Sequence, residues 1–196
     1  MSKRISFLVA FKSLLICLSV RPAQVDKSAG SASNPIIWAD VPDMAMIRVG
    51  DTYYMSSTTM HMSPGLPIMK SKDLVNWQLV SYAYDILDDV DELNLSNGKS
   101  AYGRGSWASS LRYHNGTFYA TTFAQTTGKT YIYSTKHIEK GPWKVTSFKP
   151  MLHDHSLFFD EDGRPTNFTA QRYREVGGEF CRQAVAESFQ GHRIEG

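Results

Sequence analysis

Residues 36–55 read IIWADVPDMAMIRVGDTYYM. The apolar run MAMIRV stops at Gly50-Asp51 and restarts as the aromatic and β-branched TYYM, the pattern of two strands joined by a tight turn. The same phrase returns as SSLRYHNGTFYATTF, turning at Asn115-Gly116, and its first half returns as HSLFFDEDGR, turning at Asp162-Gly163. The companion halves echo each other too. PIMKSKDLVNWQLV carries Trp77 after a turn that follows Ser71, and TYIYSTKHIEKGPWKVTSF carries Trp143 after a longer turn that follows Ser134. Each full unit therefore holds about four strands with an aromatic anchor late in it, and repeats of roughly 40–50 residues built this way mark β-propeller blades. A two-sheet sandwich is the competing architecture, but sandwiches seldom repeat one hairpin grammar at blade length. The expectation is an all-β chain of propeller type with about three blades.

Two stretches break the regularity. Residues 85–106, DILDDVDELNLSNGKSAYGRGS, are acidic and rich in Asn and Gly with no alternation, so they read as a long connecting loop. Asp88, Asp89 and Asp91 raise the question of calcium. They lack the glycine-centred ligand spacing of a calcium loop, which favours a solvated acidic loop. After Arg164 the chain continues PTNFTAQRYREVGGEFCRQAVAESFQGHRIEG. Pro165 cannot donate to a sheet ladder, and Phe180, Ala184, Val185 and Phe189 are spaced helically, so residues 165–196 read as a divergent tail with a short helix.

Bulk properties narrow the partners. The 196 residues are 42% hydrophobic with a net charge of +2, and Lys and Arg are spread among Asp and Glu rather than clustered. That is enough apolar material for one globular domain of ordinary size or a fragment of a larger one, with no basic stripe for a phosphate backbone, so nucleic acid is not an expected partner. Residues 1–24 run from a basic start through an apolar stretch to a polar end, the order of a signal peptide for a secreted or periplasmic protein. The stretch is too short and broken to span a bilayer. With the leader removed only Cys181 of the two cysteines remains, which leaves no internal disulfide and no thiolate metal site.

The opening stretch also poses a chemical question: Asp40 and Asp43 stand just ahead of an apolar strand, where an unpaired buried carboxylate is costly. Propellers gather reactive groups at one end of the central channel, where the innermost strands begin or end. Asp43 precedes MAMIRV, and Asp154 stands in the same relation to SLFF. Trp107 in SWASSLRY lies between them as a plate on which a sugar ring can stack. Asp40 reads as a structural hydrogen-bonding residue. His153 and His155 flank Asp154, and alternation puts both on the opposite face with no third ligand, so no metal is expected. Trp77 and Trp143 read as packing anchors.

The phrases NPIIWADVPDMAMIRVGDTYYM, SPGLPIMKSKDLVNW, GSWASSLRYHNGTFY and HDHSLFFDEDGR, in that order over residues 34–164, resemble glycoside hydrolase family 43. The resemblance implies a five-bladed propeller, here incomplete, and hydrolysis of xylose- or arabinose-containing polysaccharides or oligosaccharides with inversion and without a cofactor. It implies that Asp43, in VPDMA, is the general base, although Met44 stands where the family has proline. It makes Asp154 the carboxylate that tunes the acid and orients the sugar, and it places His61 in the region lining the sugar pocket. The third member is a glutamate in a later blade, commonly before glycine. Glu179, Glu187 and Glu195 follow in the tail, none on a strand continuing the repeat.

The resulting expectation is a glycosidase lineage in a truncated chain that is inactive or feeble, or at most a weak carbohydrate binder. About three blades fall short of the 4 to 8 with which propellers close. Open sheet edges then invite self-association. A propeller used for protein–protein contact is a third reading, with no repeated signature to support it.

Overall fold

The computed structural model describes residues 32–60, 63–161 and 163, and the backbone of residues 165–168. The leader at residues 1–24, His61 and the tail beyond residue 168 lie outside the described residues. Strands β1 (Ala45–Val49), β2 (Thr52–Ser56), β3 (Gly65–Ser71) and β4 (Gln78–Tyr84) form one antiparallel sheet in chain order. Strands β5 (Ser110–His114), β6 (Thr117–Ala124), β7 (Lys129–Thr135) and β8 (Lys144–Phe148) form a second of the same order. β9 (Ser156–Phe159) and β10 (Pro165–Phe168) form a two-stranded third sheet. A single short helix, α1 (Asp91–Asn94), interrupts the long loop between the first two sheets.

The turns lie where the sequence places them, for a stereochemical reason. Asn115 and Gly116 both have positive φ, 45° and 75°, the requirement of the two-residue turn that matches strand twist. Gly50 supplies φ 61° in the first hairpin and Gly163 φ 74° in the third. The strand expectation fails at one point. Residues 165–168, read as the start of a non-strand tail, pair with β9 in the register Pro165↔Phe159 to Phe168↔Ser156. Proline is tolerated there because it is the first residue of its strand and needs no ladder N–H.

The sheets stack through their apolar faces. Ala45, Ile47, Tyr54 and Ile68 of the first sheet meet Leu111, Phe118, Ala120 and Tyr133 of the second in the main core. On the other face of the second sheet, Tyr119 and Ile132 pack with Leu157 and Phe159 of β9. All eight residues of β6 are buried because both its faces are covered, whereas β1 alternates because only one of its faces is. Each fully buried Leu, Ile or Phe contributes about 1.5–3 kcal/mol of transfer free energy, so this stacking is what holds the sheets in place. The first strands follow one another in space, β1 beside β5 and β5 beside β9. Among the described residues no helix is long and apolar enough to cross a membrane.

Candidate active site

Asp43 and Asp154 occupy equivalent positions. Each stands two residues before the first strand of its sheet, is exposed, and has left-handed backbone, with φ 51° and 44°. The left-handed region costs an L-residue with a Cβ on the order of 1–2 kcal/mol, so the surroundings must hold it. At Asp43 the preceding carbonyl is clamped: Pro42 O accepts from Ser57 Oγ at 2.8 Å and from the Thr58 amide at 3.3 Å. Asp154 is held through its neighbours. Leu152 is buried, and its carbonyl lies 2.8 Å from Nδ1 of buried His155. Exposure answers the question the sequence raised, since neither Asp40 nor Asp43 is withdrawn from water. Asp40 makes no hydrogen bond among the described residues, so the structural role expected for it is not seen there.

A row of buried hydroxyls joins the ends of the sheets. Ser56 Oγ and Ser109 Oγ are 2.8 Å apart, linking the end of β2 to the entry of β5. Thr58 Oγ1 donates to Ser106 O at 2.5 Å, and Tyr84 OH and Ser106 Oγ are 2.7 Å apart. Ser110 Oγ accepts from the Leu157 amide at 3.1 Å, tying the start of β5 to β9. Since Ser56 pairs with Ala45, these bonds place the starts of β1, β5 and β9 at one end. Asp43 and Asp154 emerge at that end from different sheets.

Trp107 lies beside His153, half-buried and fixed at three points. Its amide donates to Phe123 O at 3.0 Å, its carbonyl accepts from Thr122 Oγ1 at 2.7 Å, and Nε1 donates to Gly103 O at 2.9 Å. The ring lies 6.0 Å from the His153 imidazole, which also packs at 4.9 Å on Phe123. Nδ1 of His153 is 3.2 Å from Asp154 Oδ2. Alternation had turned both histidines away from Asp154. His155 obeys and is buried, but residues 151–155 are not a strand, and the left-handed turn at Asp154 brings His153 back to the carboxylate. Burial pushes the His155 imidazole down to about 4, so it is neutral near pH 7. Its Nε2 has no hydrogen-bond partner among the described residues.

The other singled-out residues have separate roles. Trp143 packs on the main core, while Trp77 is half-buried and donates from Nε1 to Leu74 O at 3.0 Å. Asp88 accepts from Lys129 Nζ at 2.6 Å and Tyr131 OH at 2.9 Å of β7, while Asp91 accepts from Ser96 and Asn97 within the loop, so both carboxylates are already paired. Among the described residues no three His, Cys, Asp or Glu side chains gather as metal ligands would. Sequence reading missed the hydroxyl row. Its signal was SSTT at residues 56–59, four hydroxylated residues running on from a buried strand.

Residues 32–177 match the family model described as glycosyl hydrolases family 43. The chain belongs to this family. The match runs past Arg164, beyond the stretch over which the motifs carried the resemblance. Over 141 residues the chain is 41% identical to a beta-xylosidase of Formosa agariphila, covering 70% of this chain and 23% of the relative. It is 37% identical to the non-reducing end alpha-L-arabinofuranosidase BoGH43B of Bacteroides ovatus, covering 66% of this chain and 24% of that one. Among solved structures, a bifunctional GH43-CE protein of Bacteroides eggerthii superposes with a TM-score of 0.68 at 68% identity, over 71% of this chain and 20% of its own. The chain thus spans about a quarter of the length of the curated relatives it matches.

Proposed function

We propose that this family 43 chain contributes to hydrolysis of xylosidic or arabinofuranosidic bonds in plant polysaccharides or oligosaccharides. The two four-stranded sheets and the β9–β10 hairpin are read as successive blades of a propeller, with Asp43 as general base and Asp154 as the orienting carboxylate. The observation that carries the reading is the equivalent placement of these two exposed, left-handed aspartates ahead of neighbouring first strands. The names of the relatives, a beta-xylosidase and an alpha-L-arabinofuranosidase, support the sugar class.

In inverting hydrolysis one carboxylate takes a proton from water as that water attacks the anomeric carbon, while an acid on the other side protonates the departing oxygen. Asp43 suits the first task because it is exposed to water. Trp107 offers its face to the sugar beside Asp154, and His61 belongs to the proposal as a further sugar contact. The acid is not evident among the described glutamates. Glu139 is paired with Lys70 and Tyr54, Glu92 sits near Lys99, and Glu161 lies on the β9–β10 turn at the other end of that hairpin. Export, argued from the order of residues 1–24, belongs to the same reading.

Aryl glycosides separate the two tasks, because a dinitrophenolate leaves without protonation. The purified chain is expected to cleave dinitrophenyl xyloside or arabinofuranoside with inversion, followed by proton NMR of the first-formed anomer, while xylobiose is turned over far more slowly. Asp43→Asn is expected to lower aryl glycoside turnover by roughly 10²–10⁴-fold. No cleavage of either aryl glycoside, or cleavage untouched by Asp43→Asn, refutes the assignment.

A further inference from the structure

Asp43 and Asp154 match in backbone and differ in company. Pro42 precedes Asp43 and carries no side-chain donor, and among the described residues no side chain bonds the Asp43 carboxylate. His153 precedes Asp154, and its Nδ1 stands 3.2 Å from Oδ2, the one side-chain partner of that carboxylate among the described residues.

The imidazole is itself held from behind. Its ring lies 4.9 Å from that of Phe123, 1% exposed on β6, and 6.0 Å from the Trp107 indole, whose residue is bonded through amide, carbonyl and Nε1. The chain on either side is pinned as well. The Leu152 amide donates to Thr130 Oγ1 at 2.9 Å and the Leu157 amide to Ser110 Oγ at 3.1 Å, so residues 153 and 154 lie between anchors on β7 and β5. Successive side chains of a strand point to opposite faces, and it is the left-handed turn at Asp154 that brings these two together.

We infer that His153 is the positioning residue of Asp154: ring packing fixes the imidazole, and the imidazole fixes the carboxylate by giving its Nδ1 hydrogen to Oδ2, which leaves Oδ1 for a hydroxyl of the bound sugar. The inference rests on the reading of Asp154 as the orienting carboxylate. An ionised carboxylate only accepts, so Nδ1 carries a hydrogen and the neutral ring is locked in the tautomer whose Nε2 is bare. One ring thus joins the Trp107 plate to the carboxylate, and the two groups proposed to touch the sugar keep a constant relation. The asymmetry suits a division of tasks. A base that meets water is left unheld beside Pro42, whereas a carboxylate that orients a sugar has to be held.

Long-range proton–nitrogen correlation spectra of the full chain carrying isotope-labelled histidine, recorded near about pH 8.5 where an ordinary imidazole is neutral, report the tautomer directly. His153→Phe, which keeps the ring contacts and lacks the donor, identifies the His153 signals. The expected result is the Nδ1–H tautomer for His153, reverting in Asp154→Ala to the Nε2–H form that a free imidazole favours. Predominance of Nε2–H in the unaltered chain, or a tautomer indifferent to Asp154→Ala, overturns the inference whatever the chain cleaves. Turnover of dinitrophenyl xyloside tests the role. His153→Phe is expected to lower kcat/KM roughly 10–100-fold, and His153→Asn, whose amide sets a donor near the place of Nδ1, to recover most of that loss. In an Asp154→Ala background His153→Phe is expected to cost nothing further, and losses that simply add mean that His153 acts apart from Asp154 and overturn the inference. The expected tautomer without any turnover overturns the role together with the glycosidase reading and leaves a structural contact only.

Discussion

His155 couples the stability of the third sheet to pH. Its imidazole is 4% exposed and edge-on to Phe123 with centroids 6.2 Å apart, and its Nδ1 lies 2.8 Å from the Leu152 carbonyl. Burial is the main cause of its lowered pKa. The Leu152 bond and the charge of Asp154 oppose that shift, and the native group takes its proton only near about 4, against 6.5 when unfolded. Between those values the unfolded chain binds the extra proton, so stability rises with pH across the window. The contribution is complete above pH 6.5 and is lost as pH falls toward 4. At about 1.4 kcal/mol per pH unit the gap amounts to about 3 kcal/mol, a large fraction of an ordinary domain's 5–15 kcal/mol. Urea unfolding read by tryptophan fluorescence at several pH values between about 7.5 and 4.5 is the assay. With a slope near 2 kcal/mol/M the midpoint is expected to fall by about 1 M over that range. His155→Asn retains a donor for the Leu152 carbonyl and removes the titration. It is expected to be about 1–2 kcal/mol less stable at neutral pH, from lost packing, and to show a much flatter pH dependence. Carboxylates with lowered pKa, such as Asp88 and Glu139, titrate in both proteins, so the difference between the curves belongs to His155. Parallel loss of stability in the two proteins refutes the reasoning.

Gly65→Ala is expected to cost about 1–3 kcal/mol, because the Tyr84 ring occupies the space of a Cβ there. Thermal melts of Gly65→Ala, Tyr84→Ala and the double variant are expected to show a total well below the sum, since removing the ring makes room for the methyl group. Asp88→Asn weakens the anchor to Lys129 and Tyr131, and amides of residues 86–104 are expected to exchange faster with little change in global stability, followed by hydrogen-exchange mass spectrometry. Asp43→Gly and Asp154→Gly relieve left-handed strain and are each expected to stabilise by about 1 kcal/mol in urea titrations while removing the proposed chemistry.

Much of the fold was legible because its turns are stereochemically exacting. Gly50, Asn115-Gly116 and Gly163 occupy positive φ, and few other residues do so readily. The relation of Asp43 and Asp154 to their strands was legible for the same reason, since position relative to a strand start is a local property. What escaped was decided between residues far apart in the chain. The bond from Thr58 to Ser106 spans 48 positions and that from Leu157 to Ser110 spans 47, and nothing in SSTT or in SWASS names the partner. The return of His153 toward Asp154 was missed because alternation was extended one turn too far, into residues with no strand geometry. β10 was missed because Pro165 was weighed as an interior strand residue rather than as a first one.

The two aspartates and the hydroxyl row form one physical arrangement. An exposed carboxylate on left-handed backbone gives up stability and gains none from burial, so each position contributes to folding less than a glycine would. Such a position persists only where the surrounding backbone is over-determined. The Pro42 carbonyl, clamped twice, and Trp107, bonded through its amide, its carbonyl and its indole, provide that rigidity at the sheet ends. The hydroxyls that make these bonds are buried and satisfied, so they fix the ends without placing another charge beside the carboxylates. A rigid end presenting two strained, water-exposed carboxylates on neighbouring strand starts is poorly explained by stability, and it suits a water molecule that must be activated at a fixed distance from a bound sugar.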